Sequence, residues 1–266
     1  MIYPHRSLRG RITLFGEALG AVADESTFSV PTAQSLHAVA GAADGPSVGS
    51  HLGDLGLIAE DQVIGIGGDL PIGYGLASST VMTLLQMRSA GYTDAGARDA
   101  VQAVDAMTTA GWTPSGADYA AIVGQESGVF GRGTWTPVPY RLPAGSHLLL
   151  PTRERRRTKV AASQTLRALH DQLLPLVRIL LAGLRSHSIL DTGVMLRYCR
   201  ILLDAPVYSR AQRDLISGLL DRGIAAKASG AMYDRAVLVL ADQAIWAGNP
   251  PYPLLGQDEP PSTLHQ

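Results

Sequence analysis

The chain has 266 residues, 46% of them hydrophobic, with 22 lysines and arginines against 23 aspartates and glutamates for a formal net charge of −1. That length and apolar share suffice for a large buried core in one domain or two closely packed ones. The near-neutral balance gives no electrostatic basis for nucleic acid or an anionic membrane as main partner. The lone Cys199 excludes an intramolecular disulfide, Met1 to Gly10 has no signal-peptide pattern, and no apolar run reaches membrane-spanning length, so a cytoplasmic protein is expected.

Arg9 to Glu17 alternates like a strand and ends in Gly16-Glu17. A second strand is expected between Glu25 and Ala40, where Thr27, Ser29 and Pro31 alternate, followed by a Gly, Ser, Asp and Pro loop from Gly41 to Gly53. His37 and His51 have no evident ligand partners and read as surface or capping residues, with no metal assigned. Gly67 to Met87 is the most informative stretch. A loop with Gly67, Gly68, Gly73 and Gly75 leads into Ser78, Ser79 and Thr80, and Val81, Leu84 and Leu85 then recur at helical spacing, which predicts a helix from Ser78 or Ser79. Glycines let backbone N–H groups approach a ligand, and a helix start adds unpaired donors and a positive dipole end, so this stretch reads as a phosphate-type anion site. It is not a Walker A loop, because no lysine precedes Ser78, and it fits the Rossmann fingerprint poorly.

Asp94 to Thr108 reads as a helix with Ala97, Ala100, Val101 and Val104 on one face. In the loop Gly111 to Asp118 that follows, Asp118 is either the cap of a helix starting near Tyr119 or an acid at the mouth of the anion site. Phe130 to Leu150 suggests strands broken by Pro and Gly turns, and the basic run Pro151 to Lys159 reads as solvated surface. Helices are expected over 160–184, 189–203 and 209–222, with Pro175 starting or kinking one, Gly223 as a C-cap and Cys199 as a buried, inert thiol. A loop from Ala226 to Arg235 precedes a strand from Ala236 to Ala241, and Pro250 to Gln266 reads as a tail or loose cover.

The order Pro71-x-Gly73-x-Gly75-Leu76-Ala77-Ser78-Ser79-Thr80 resembles the phosphate-binding motif of the GHMP kinases, the family of galactokinase, homoserine kinase, mevalonate kinase and phosphomevalonate kinase. The resemblance implies that these residues wrap the ATP phosphates and that Ser79 helps hold Mg2+. It extends to three further segments. Arg9-Gly10-Arg11 stands where the family's first motif has Pro-Gly-Lys, which implies a catalytic role for Arg11, with the charge kept and the hydrogen-bond geometry changed. Pro114-Ser115-Gly116-Ala117-Asp118 is similar to the segment whose Asp accepts the substrate hydroxyl proton. Lys227-Ala228-Ser229-Gly230-Ala231 is similar to the third motif, without its usual glycine run, and implies an approach of Ser229 and Gly230 to the phosphates. The basic run loosely matches a family loop, which implies phosphate or substrate contacts from Thr158 and Arg156. Asp105 is the nearby acid for a second metal ligand, although Met107 falls closer to where the family's Glu usually stands.

The implied fold is α+β and GHMP kinase-like. Its N-terminal half, residues 1–150, resembles ribosomal protein S5 domain 2, and its C-terminal half, residues 151–266, is a ferredoxin-like arrangement of helices and sheet. The implied activity is ATP-dependent phosphorylation of a hydroxyl on a small molecule, with ATP and Mg2+ as cofactors, no nucleic-acid or membrane partner, and a homodimer left open. Ala77 and Thr80, where most members have Gly and Ala, resemble the bacterial L-threonine kinase branch and imply a hydroxy amino acid as substrate. A sugar, polyol or isoprenoid alcohol is the alternative, as is a non-catalytic relative that binds a ligand or protein.

Overall fold

The computed structural model describes residues 7–16, 27–39, 48–108, 115–150, 168–187, 189–204, 208–229, 236–241 and 254–256. Alternation in the first strand buries Leu8, Ile12 and Leu14 and leaves Arg9 and Arg11 half-buried. This strand, β1 (Ser7–Phe15), pairs antiparallel with β2 (Thr27–Val39), a single strand where a strand followed by a polar stretch is expected. On its other edge β2 pairs with β3 (Gly65–Gly68) through Leu36 to Val39 and with β4 (Gly128–Gly131) through Thr27 to Ser29. The hairpin partner of β4 is β5 (Thr134–Pro137), which completes a five-stranded sheet. A second sheet has the order β7 (Ala225–Ala228), β8 (Val237–Leu240), β6 (His147–Leu149), β9 (Leu254–Gly256), and is antiparallel throughout. Two differences follow. The strand just before residue 150 belongs to the second sheet, and the stretch expected to be a tail supplies its edge strand, because backbone pairing with β6 needs no apolar signature.

Helices α2 (Ser78–Ser89) and α4 (Ala117–Gly124) lie on the first sheet, with α1 (Val48–Asp54) and α3 (Asp94–Thr108) packed against α2. Helix α1 occupies part of the expected Gly41 to Gly53 loop, because Val48 and Leu52, four residues apart, bury one face of a single turn despite the glycines. Against the second sheet, α6 (Thr192–Asp204) and α7 (Arg210–Asp221) pack on β7, and α5 (His170–His187) packs on α6, with Pro175 inside it, past the first turn, where proline removes a backbone donor from the helix. Helix α7 ends in a Schellman motif. Gly223, at φ +75°, donates to Leu220 O and Ile224 donates to Leu219 O, as its expected capping role requires. Cys199 is buried in α6, and one hydrophobic cluster runs through both sheets. Among the described residues, no helix is long and apolar enough to cross a membrane.

Candidate active site

Helix α2 begins at Ser78, as its apolar spacing predicts, and its N-cap is Ala77 in the left-handed conformation (φ 57°, ψ 30°). Gly73 and Gly75 also have positive φ, so every second residue of the approach is left-handed and backbone N–H groups converge as in an anion-binding nest. Alanine there costs about 1 kcal/mol that glycine would not, which gives a backbone reason for glycine at this place in the resembled motif. Ser78 Oγ accepts from Gly73 N at 3.0 Å and closes the loop on itself. Leu76 is fully buried, and Thr80 is buried with a hydroxyl that has no partner among the described residues, so both lie beneath the loop rather than on its open side.

Three backbone carbonyls of the loop are held from elsewhere in the chain. Arg11 N donates to Leu76 O at 3.1 Å, Ala236 N to Tyr74 O at 2.9 Å, and Ser229 Oγ to Gly75 O at 2.9 Å. Ser229 is fully buried in that contact, so it reaches the glycine loop as a support from behind. The neighbouring Gly10 explains the glycine of the first motif. A Cβ at Gly10 would lie 2.8 Å from Leu76 O and 2.4 Å from Leu70 Cδ1, so only a residue without a side chain lets β1 run this close to the loop. Gly10→Ala is expected to cost about 1–3 kcal/mol of stability by displacing Leu76, measured by urea titration.

Gly116 is the N-cap of α4 at φ +81°, and Ser115 Oγ accepts from Ala117 N at 3.2 Å. Serine and glycine thus take over the turn and the capping, which corrects the reading of Asp118 as the cap of a helix starting near Tyr119. Its carboxylate, in the first turn of α4, forms an ion pair with Nη2 of Arg11 on β1, the two side chains being 37% and 11% exposed. Arg11 also donates from Nη1 to Thr13 Oγ1 and Ser29 Oγ. Tyr119 beside it donates to Asp94 O at 2.7 Å, and burial followed by the Asp94 charge pushes its phenol up, so the proton that ties α4 to α3 stays in place.

Ser79 and Asp105 meet. The Ser79 hydroxyl donates to Asp105 Oδ1 at 3.1 Å. Helices α2 and α3 form an antiparallel hairpin around residues 90–93, locked by the Arg88–Asp94 pair at 2.6 and 2.8 Å, and Ser79 and Asp105 stand nearly equidistant from that turn. Met107, closer in sequence to the family's acid position, is half exposed at the end of α3. A hydroxyl and a carboxylate are hard oxygen donors of the kind Mg2+ takes alongside water and phosphate oxygens. Among the described residues, no cluster of three or more His, Cys, Asp or Glu stands ready to hold a metal ion. Arg156, Thr158, Gly230 and the neighbouring Arg153, Arg155 and Arg157 lie outside the described residues.

Lys227 extends this picture from motif to contact. It is 1% exposed and its Nζ donates to Thr13 O at 3.0 Å, reaching from β7 in the second sheet to β1 in the first. The pattern of the sequence placed Lys227 on the edge of a loop and gave no sign of this partner. Thr13 and Ser29 were equally silent, since alternation shows only which side of a strand a residue takes.

No family model and no curated protein matches the chain by sequence. Its fold is that of the GHMP kinases. The Methanococcus jannaschii mevalonate kinase superimposes at a TM-score of 0.64 with 12% identity, covering 90% of each chain. Lactococcus lactis galactokinase complexed with galactose gives 0.63 at 12% identity, covering 90% of this chain and 86% of that one. Streptococcus pneumoniae phosphomevalonate kinase in complex with phosphomevalonate and AMPPNP gives 0.54 at 14% identity, covering 88% and 91%.

Proposed function

We propose, from the GHMP kinase fold that the chain carries, that it transfers the terminal phosphoryl group of ATP to a hydroxyl of a small metabolite. The observation that carries this reading is the double engagement of Arg11. Its backbone N–H holds the glycine loop at Leu76 O while its guanidinium holds Asp118, so one residue links the nest for phosphates to a carboxylate able to accept a proton. In the proposed reaction, Asp118 orients the acceptor hydroxyl and takes its proton as the oxygen attacks. The N–H groups of the glycine loop and the Arg11 charge would meet the negative charge that redistributes during transfer. Mg2+, bound by Ser79 and Asp105 together with the nucleotide, would neutralise phosphate charge.

For the acceptor, a sugar or an isoprenoid-type alcohol has counterparts among these structures, whose names give galactose, mevalonate and phosphomevalonate. The hydroxy amino acid implied by Leu76 to Thr80 has none among them, so the alcohol classes lead. The N- and C-terminal halves are proposed to act as two domains that meet at the glycine loop.

The test is calorimetry with Mg-ATP, followed by a panel of alcohols scored for ADP release: galactose, mevalonate, phosphomevalonate, threonine, serine and homoserine. Nucleotide binding and turnover of one alcohol are expected. No binding at about millimolar ATP, the upper end of the usual KM range, would overturn the kinase reading, and binding without turnover would favour a ligand-binding relative. Asp105→Asn and Ser79→Ala are each expected to raise the Mg2+ concentration needed for half-maximal turnover, roughly tenfold or more. An unchanged Mg2+ dependence in both variants would remove them as ligands.

A further inference from the structure

The environment of the Arg11 guanidinium holds more than its pairing with Asp118. Thr13 stands two residues along β1 from Arg11, on the same side of the strand, and Ser29 is its direct partner across the β1–β2 pair. Both are buried, 2% and 1% exposed, on strands whose neighbouring buried positions are filled by Ile12, Leu14, Phe15 and Phe28. A buried hydroxyl is costly unless it is hydrogen-bonded, and these two accept from the same atom, Nη1 of Arg11, while Nη2 turns to Asp118. With both Nη1 hydrogens engaged, the plane of the guanidinium is fixed, and with it the direction of Nη2.

We propose that Thr13 and Ser29 are positioning residues that set the plane of the Arg11 guanidinium and, through it, the orientation of the Asp118 carboxylate. Neither touches a reacting atom. The arrangement also accounts for arginine at a place where the resembled motif has lysine. A planar fork can point one nitrogen into a pair of hydroxyls and the other at a carboxylate, whereas an ammonium is a single point of charge on a flexible stem. The catalytic consequence rests on the kinase reading, while the orientation of the ion pair does not, so the test carries a readout for each.

That test is a pH titration of the Asp118 carboxyl by carbon NMR in protein labelled at aspartate, with its signal assigned by its loss in Asp118→Asn. In Thr13→Val/Ser29→Ala the midpoint is expected to move up, because the guanidinium no longer stays on the carboxylate. In Thr13→Ser, which keeps the acceptor, it should stay at the wild-type value. In parallel, kcat of the double variant should fall about tenfold with the KM for ATP unchanged. A purely structural role would lower the thermal midpoint and leave the Asp118 titration alone, and that result in a folded variant overturns the proposal. A shifted titration in a protein that phosphorylates no alcohol supports the positioning and removes the kinase reading instead. Should the double variant fail to fold, Ser29→Ala alone carries the same titration, with the same two outcomes.

Discussion

With Asp118 as the proposed general base, Asp118→Asn is expected to lower alcohol-dependent ADP release roughly 100- to 10,000-fold, the range for loss of such a group, with Mg-ATP affinity retained. The amide is nearly isosteric but cannot take a proton, and it exchanges the ion pair with Arg11 for a neutral contact. Nucleotide affinity should hold because the glycine loop is supported by Ser78, Arg11 N, Ser229 and Ala236 and not by Asp118. Steady-state kinetics beside calorimetry separate the two quantities. A variant with ordinary kcat would place the base elsewhere, and one that no longer binds ATP would make Asp118 a structural residue of the loop.

Gly68→Ala is expected to cost about 3 kcal/mol or more in stability, as a residue forced into a glycine-only conformation against fixed backbone does. Gly68 closes β3 at φ +133°, and a Cβ there would lie 2.2 Å from Ser35 O and 2.9 Å from Leu36 Cα, both in β2. Ser35 O accepts from Asp69 N and Leu70 N, and Ser35 N donates to Asp69 Oδ1 at 2.8 Å, so the same collision disturbs the entry to the glycine loop. Gly218, inside α7 with open space around its missing Cβ, is the matched control. Gly218→Ala should gain about 0.5–1 kcal/mol through helix propensity alone. Urea midpoints of the two variants read the contrast, and equal midpoints would mean that β2 and β3 do not pair in the register Leu36 to Gly68.

The sequence was most legible where a local pattern decides the structure. Helix α3 spans Asp94–Thr108 as its Ala and Val spacing requires, and α2 starts at the first serine of the glycine loop. It was least legible where two distant elements decide together. Ser79 and Asp105, 26 residues apart, meet across the α2–α3 hairpin, which no local pattern shows. Lys227 belonged to a recognisable motif, but its hydrogen bond to the Thr13 carbonyl depends on how two sheets meet. Strand β9, in a Pro-rich stretch, and α1, in a Gly-rich one, form against local composition because tertiary pairing and one buried face outweigh weak propensity. The Ser115-Gly116 pair was legible as part of a motif and illegible as a mechanism until the left-handed N-cap showed why Asp118 is released from capping.

The supports of the glycine loop also set an order of events in time. Ser229 meets Gly75 across 154 residues of sequence, and two further hydrogen bonds away from the loop, Lys227 to Thr13 O and Gly16 N to Tyr198 Oη, span 214 and 182. Contacts of such separation form late, since each must first close a long stretch of unfolded chain. During synthesis the loop leaves the ribosome well before the strand that holds its carbonyls has been made. The Tyr74 and Gly75 carbonyls therefore gain their Ala236 and Ser229 donors only once that part of the chain is in place.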